Sequence, residues 1–290
     1  MAMTRALTTA DLVLSSPPVS RFPLLERLAP FAAAGFHGIS IQPGDVWALE
    51  AQGMSAAEIA GRIADAGLVI TEMDCTACWM EHQTRTEQAG GLTAFLRQLT
   101  PEPIIATAAR VGAQSVSAID LSVEPASLDE AAEGFARLCT MAADHGLKAQ
   151  IEFLPVGGIR SLGEALRVVE AAGCGNGGIT LDAWHFFRSG STLEELAEVL
   201  GERIHAVQLC DAPAHASADL GSELMTARLL PGEGELDVIG LVCTLDAIGC
   251  TAPAGVEVFN TRQDTMPLAE IARDWARSTH SLLATARTAA

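Results

Sequence analysis

Short apolar runs alternate along the chain with longer segments in which apolar residues recur every three to four positions. The runs fall at 12–15, 38–42, 69–74, 115–119, 148–153, 178–182, 204–210 and 255–259. Each is bounded by glycine, proline or polar residues, the pattern of a strand buried in a sheet. The intervening segments read as helices. Residues 24–34 close at Gly35. Ser55 with Glu58 three residues on forms a capping box for a helix to Ala66, ended by Gly67. Residues 84–110 read as helical but broken around Pro101 and Pro103. Ser127 with Glu130, Ser161 with Glu164, and Thr192 with Glu195 open three more, running to about His145, to Ala172 and to Gly201; 237–248 and 267–286 complete the set.

Eight strands, each followed by a helix, predict an α/β fold with a single (β/α)8 TIM barrel as one domain over residues 1–290. The rival is an open doubly wound sheet, which places a glycine-rich phosphate turn after its first strand. Here the first strand runs into Ser15-Ser16-Pro17-Pro18, and the glycine-rich stretch 173–178 precedes a strand rather than opening a helix.

Composition narrows the class of partner. The net charge is −18, Lys148 is the only lysine, and no basic cluster exists to offset that field, which argues against nucleic acid. No apolar run approaches the ~20 residues of a membrane span. Residues 1–10 carry no long apolar core of a secretory signal, so a cytoplasmic location is expected. The seven cysteines are odd in number and scattered; Cys75 and Cys78 form a C-x-x-C with no second half, and all are read as reduced thiols.

The chemistry gathers at strand ends. In the run Gln150-Ile151-Glu152-Phe153-Leu154-Pro155, Glu152 sits at the tip of an apolar strand that stops at a turn. A carboxylate there is costly unless a metal, an arginine or a substrate answers its charge. Asp182, Gln208 and Glu257 occupy equivalent positions on the sixth, seventh and eighth strands. Active sites of such barrels lie at this end. Three carboxylates and an amide oxygen form a hard donor set, suited to Mn, Mg or Co more than to a thiolate zinc site. His185, three residues after Asp182, is either a further ligand or a donor to a substrate oxygen. Arg228, in the loop after the seventh strand, is a candidate to grip a substrate oxygen, with a loop-pinning salt bridge as the alternative. Asp211 is read as a brace for a ligand, Glu233 as structural, and Trp47, Trp79 and Trp184 as packing or pocket walls.

Ile151-Glu152, Leu181-Asp182-Ala183-Trp184-His185, Val207-Gln208-Leu209-Cys210-Asp211, Leu230-Pro231-Gly232-Glu233-Gly234 and Val256-Glu257 resemble the signature positions of the xylose isomerase-like TIM-barrel superfamily. That group includes sugar phosphate isomerases and epimerases, inosose and 3-dehydroshikimate dehydratases, and endonuclease IV. The resemblance implies a divalent metal held by Glu152, Asp182, Gln208 and Glu257. The epimerases usually place histidine third; Gln208 departs from that and resembles the dehydratase-like branches. His205, three residues earlier, is expected on the opposite face of its strand. Endonuclease IV-like relatives need a histidine-rich three-metal cluster, and this chain has seven histidines in all.

The function expected on this basis is metal-dependent isomerisation or epimerisation of a polyhydroxy carbonyl compound through an enediolate, with Glu152 and Glu257 moving the proton and His185 and Arg228 holding substrate oxygens. A dehydratase of the 3-dehydroshikimate or inosose type is the alternative, since it shares the first step. A non-catalytic metabolite-binding barrel is the alternative of another class. The expected partner is a sugar-like, cyclic-polyol or keto-acid small molecule, with homo-oligomerisation left open.

Overall fold

The structure, a computed structural model, describes residues 6–289. Residues 1–5 of the stretch read for a secretory signal, and Ala290, lie outside the described residues.

Eight strands close in sequence order into a parallel barrel, with the last pairing back onto the first. They are β1 (Leu12–Leu14), β2 (Phe36–Ile41), β3 (Val69–Thr76), β4 (Ser115–Ile119), β5 (Lys148–Glu152), β6 (Gly177–Asp182), β7 (Ile204–Leu209) and β8 (Ala254–Val256). A helical ring covers the outer face of each strand and barrel closure buries the inner one, so the strands read as largely apolar runs. The expected eighth strand was longer; pairing stops at Val256, so Glu257 stands one residue past its end.

The helix N-termini form where capping chemistry called for them. Ser55, Ser127, Ser161 and Thr192 each accept from the backbone N–H three residues on. The stretch 84–110 differs from expectation. It divides into Glu81–Arg85, a 3-10 turn at Ala89–Gly91, Thr93–Leu96 and Pro101–Val111. Pro101 and Pro103 lie in the first turn of the last helix, where the missing N–H groups had no intrahelical partner in any case, so these prolines start a helix rather than break one. Pro43 follows the end of β2 and opens the helix Pro43–Ala51, with Gln42 as its cap.

The barrel axis is not filled with the large branched side chains usual in such cores. Ser15, Ser40, Glu72, Ser115, Ala206, Gln208 and Gly255 instead help line a cavity of about 500 Å³ that reaches the N-terminal face near Lys148 and His205. His205 lines it because the β6–β7 register slips: Ile179 pairs with Ile204, but Thr180 pairs with Ala206. That irregularity breaks the alternation behind the expectation of an opposite face, and His205 and Gln208 line the same cavity from different levels.

Candidate active site

Glu152 is the last residue of β5 and Asp182 the last of β6; Gln208 is the penultimate residue of β7 and pairs with Asp182 across the ladder. All are buried, as are Glu257, His185 and Arg228. The barrel ends therefore bring the six sequence-expected residues into one region, linked by contacts.

Asp182 is both a strand end and a helix cap. Its Oδ1 accepts from the backbone N–H of His185 at 2.8 Å, starting the short helix Ala183–Arg188. That turn of helix carries the His185 ring back toward β5, with Nε2 3.4 Å from Glu152 Oε1. Ligand atoms of Glu152, Asp182 and His185 lie within 4.8 Å of one another, a group able to hold a metal ion.

Arg228 reaches the site from the loop after β7. Its backbone N–H donates to Phe259 O, and Asn260 Nδ2 donates to Arg228 O at 2.6 Å, so the loop is sewn onto the residues after β8. The guanidinium is 1% exposed. Its Nη1 donates to Asp182 Oδ2 at 2.8 Å and to Glu257 Oε2 at 3.1 Å, while Nε donates to Leu224 O. The rings of Trp184 and Phe259 pack against it at 5.4 and 5.1 Å. Arg228 thus bridges two site carboxylates from within the protein. Asp211, expected to brace a ligand, instead accepts from the backbone N–H groups of Ala212, Gly232 and Leu236 and fixes this loop.

Two polar residues close the circuit. Ser15 Oγ donates to Glu257 Oε1 at 2.9 Å, and Gln208 Nε2 donates to Ser15 Oγ at 3.3 Å. Gln208 Oε1 is buried without a hydrogen-bond partner among the described residues, as is His185 Nδ1.

The electrostatics are unbalanced. Glu152, Asp182 and Glu257 carry three negative charges when ionised, and Arg228 returns one. Burial raises Glu152 well above the usual carboxylate range, and the charges of Asp74 and Asp182 push the same way. Burial likewise pushes Glu257 up to about 8 despite Arg228, with Glu152 and Asp182 adding to the rise. Burial lowers His185 to about 4, leaving a neutral imidazole. Arg228 is held firmly protonated: burial opposes its charge, but Asp182 leads the anions that more than offset this. A divalent cation fits such a site. It would balance the residual charge, and Gln208 Oε1 and His185 Nδ1 are buried polar atoms still lacking partners.

The end of β3 was missed. Asp74 accepts from Ser117 Oγ at 2.9 Å, and Glu72 accepts from Gln150 Nε2. Burial raises both carboxyls. The signal was present as Glu72-x-Asp74, two acids on one face of an otherwise apolar strand. Cys75 lies beside Asp74, and its thiol is pushed well up by burial and then by Asp74 and Glu152, so the C-x-x-C shows no activated thiolate. All seven cysteines are free.

Comparison with known proteins agrees with this geometry. A profile of the family described as "Xylose isomerase-like TIM barrel" matches residues 28–279. A 3-dehydroshikimate dehydratase of Pseudomonas aeruginosa is 30% identical over 260 residues, covering 88% of this chain and 39% of the relative. The chain thus spans about two fifths of the length of that relative. An inosose isomerase of Bacillus licheniformis is 28% identical over 160 residues, covering 53% of this chain and 56% of the relative. Among solved structures, the IolI protein with a bound zinc atom superposes with a TM-score of 0.81 at 18% identity, over 95% of this chain and 98% of that one. A xylose isomerase-like TIM barrel/4-hydroxyphenylpyruvate dioxygenase fusion protein gives 0.78 at 24% identity, over 94% of this chain and 42% of that one. At these identities the structural likeness speaks to the fold. With the profile match over most of the barrel and the dehydratase similarity over 88% of its length, this chain belongs to the xylose isomerase-like TIM-barrel family.

Proposed function

We propose that the chain is a barrel domain that removes water from a cyclic β-hydroxy ketone, in the manner of a 3-dehydroshikimate dehydratase, with a divalent metal. The observation that carries this reading is the 30% identity to such a dehydratase over 88% of this chain. Gln208 at the third metal position supports it.

Glu152, Asp182, Gln208 and Glu257 would hold the ion, with His185 adjoining. Mn, Mg or Co suits the three carboxylates and the amide; the zinc in the IolI structure is a property of that protein. When bound, the ion polarises a substrate carbonyl oxygen and acidifies the neighbouring C–H. Glu152 and Glu257 are the proton-handling pair, buried carboxyls whose surroundings raise their affinity for a proton. One takes the proton from the carbon beside the carbonyl. The C–H electron pair becomes a C=C bond as the C–O bond to the β-hydroxyl breaks, and the other carboxyl protonates the departing oxygen, releasing water. His185, neutral because it is buried, donates to a substrate oxygen without adding positive charge. Arg228 pairs with Asp182 and Glu257 and holds both carboxyl groups in place.

A second reading, isomerisation or epimerisation, draws support from the inosose isomerase similarity over 53% of the chain. It shares the proton abstraction and differs in returning the proton to carbon. A non-catalytic barrel would not account for this set of buried acids beside the unpartnered Gln208 Oε1 and His185 Nδ1.

The test is to incubate metal-loaded protein in heavy water with 3-dehydroshikimate, inososes and ketoses. A conjugated, ultraviolet-absorbing product from 3-dehydroshikimate is the expected result. Deuterium recovered in a ketose or inosose without loss of water would replace dehydration by the second reading, and no turnover of any of them would sink both. Glu152→Gln is expected to lower the rate at least about 100-fold.

A further inference from the structure

Gln208 has a single side-chain tether among the described residues, the hydrogen bond from Nε2 to Ser15 Oγ at 3.3 Å. Its Oε1 is buried and unpartnered. Both side chains line the inner end of the axial cavity, so open volume adjoins the amide where a conventional barrel would pack a large apolar residue. An amide in such surroundings can turn about its terminal bond and exchange oxygen for NH2 at little steric cost.

Ser15 removes that freedom by proton counting. A hydroxyl has one hydrogen to donate and lone pairs to accept with. Glu257, ionised when it holds a cation, can only accept, so Ser15 donates its hydrogen to Glu257 Oε1 at 2.9 Å. Toward Gln208 it can then only accept, which selects the NH2 end and leaves Oε1 free. Barrel closure delivers this arrangement. Leu14 pairs with Val256 across the β1–β8 seam, and the Ser15 N–H donates to Val256 O, which sets Ser15 beside Glu257 one residue past the paired strands.

We infer that Ser15 is a positioning residue that fixes the amide orientation of Gln208, so that its oxygen rather than its NH2 is presented as a ligand for the divalent cation. The inference rests on the metal-dependent reading above and extends it to a residue outside the ligand set. An NH2 group offers a cation no lone pair, so a turned amide subtracts one ligand without changing any ligand's identity.

The test uses the full chain, stripped with chelator and titrated with Mn2+ by calorimetry and by electron paramagnetic resonance. Ser15→Ala is expected to weaken Mn2+ binding about 10–100-fold, the range for removing a partner of a ligand. Ser15→Thr, which keeps the hydroxyl, is expected to restore it. Thermal melts in chelator check that the variants fold. The double variant with Gln208→Ala separates two routes. If Ser15 acts through Gln208, Ser15→Ala costs much less affinity in the Gln208→Ala background than in the native one. Fully additive losses, or Mn2+ affinity unchanged in Ser15→Ala, overturn the inference. Absence of any divalent-ion binding by the native chain would instead remove the metal-dependent reading itself, and this inference with it.

Discussion

Arg228 carries the charge balance of the site. It is buried, it donates to Asp182 and Glu257, and two aromatic rings confine it. Removing one partner of a buried ion pair leaves the others desolvated and unanswered, at a cost of about 3–5 kcal/mol. Arg228→Met is therefore expected to lower stability by about that amount in urea unfolding with chelator present. Arg228→Lys should recover only part of it, because an ammonium lacks the planar fork that also reaches Leu224 O. From the sequence, Arg228 was one arginine in a loop, a candidate to grip a substrate oxygen or to form a loop-pinning salt bridge. Its burial depends on the loop being stitched to residues 259 and 260, a contact no local pattern records. His185 shows the opposite case. Its spacing from Asp182 is a capping spacing, and the structure places it beside Glu152 by that local mechanism.

At the scale of elements, the loop after β5 shows how a strand tip is held. Gly157 and Gly158 were readable as a turn, but the need for glycine comes from β4. A Cβ on Gly157 would lie 2.0 Å from the main-chain oxygen of Asp120, and one on Gly158 would lie 2.2 Å from its Oδ2. The Gly158 N–H donates to that same main-chain oxygen. Gly157→Ala and Gly158→Ala are each expected to destabilise the fold by about 1–3 kcal/mol in denaturant titration. Gly157→Ala should be the worse, since main chain cannot swing aside as a carboxylate can. Helix starts were readable because a cap is a bond between residues three apart. The stretch 81–111 was not, because residues 87–89 pair with 121–123 and Leu99 O accepts from the N–H groups of Ala77 and Cys78 where the helices break. A one-dimensional pattern sees only the helical propensity of that region and its prolines.

For the whole molecule, the buried acids couple stability to pH and to metal. Glu257 has a folded value of about 8 against 4.5 when free, so the fold favours its protonated form. The stability this contributes is complete below about 4.5 and is lost as pH rises toward 8. Glu152, Glu72 and Asp74, also raised, act in the same direction. His185, lowered to about 4 from 6.5, contributes stability that is present above 6.5 and lost as pH falls toward 4. Between pH 6.5 and 8 the histidine is silent and Glu257 is losing its proton. The chelated protein is expected to show a falling melting midpoint across that window. Mn2+ should raise the midpoint, most at the upper end, with release of protons on binding. A midpoint that is flat or rising with pH in chelator would contradict the charge balance described here.

The barrel itself was readable in the chain because its cause is periodic: eight apolar runs, each buried on both sides, separated by capped helices. The acids and amide at the ends of β5–β8 were readable for the same reason, since a polar residue closing an apolar run has few places to go. Three features depended on closure in three dimensions. The β1–β8 seam sets Ser15 against Glu257 across 242 positions of chain. The loop after β7 buries Arg228 between carboxylates from two strands. A register slip turns His205 into an axial cavity that small polar side chains leave open. Each is a contact between residues remote in sequence, whose partner is chosen by how the strands meet and not by any pattern either segment carries alone.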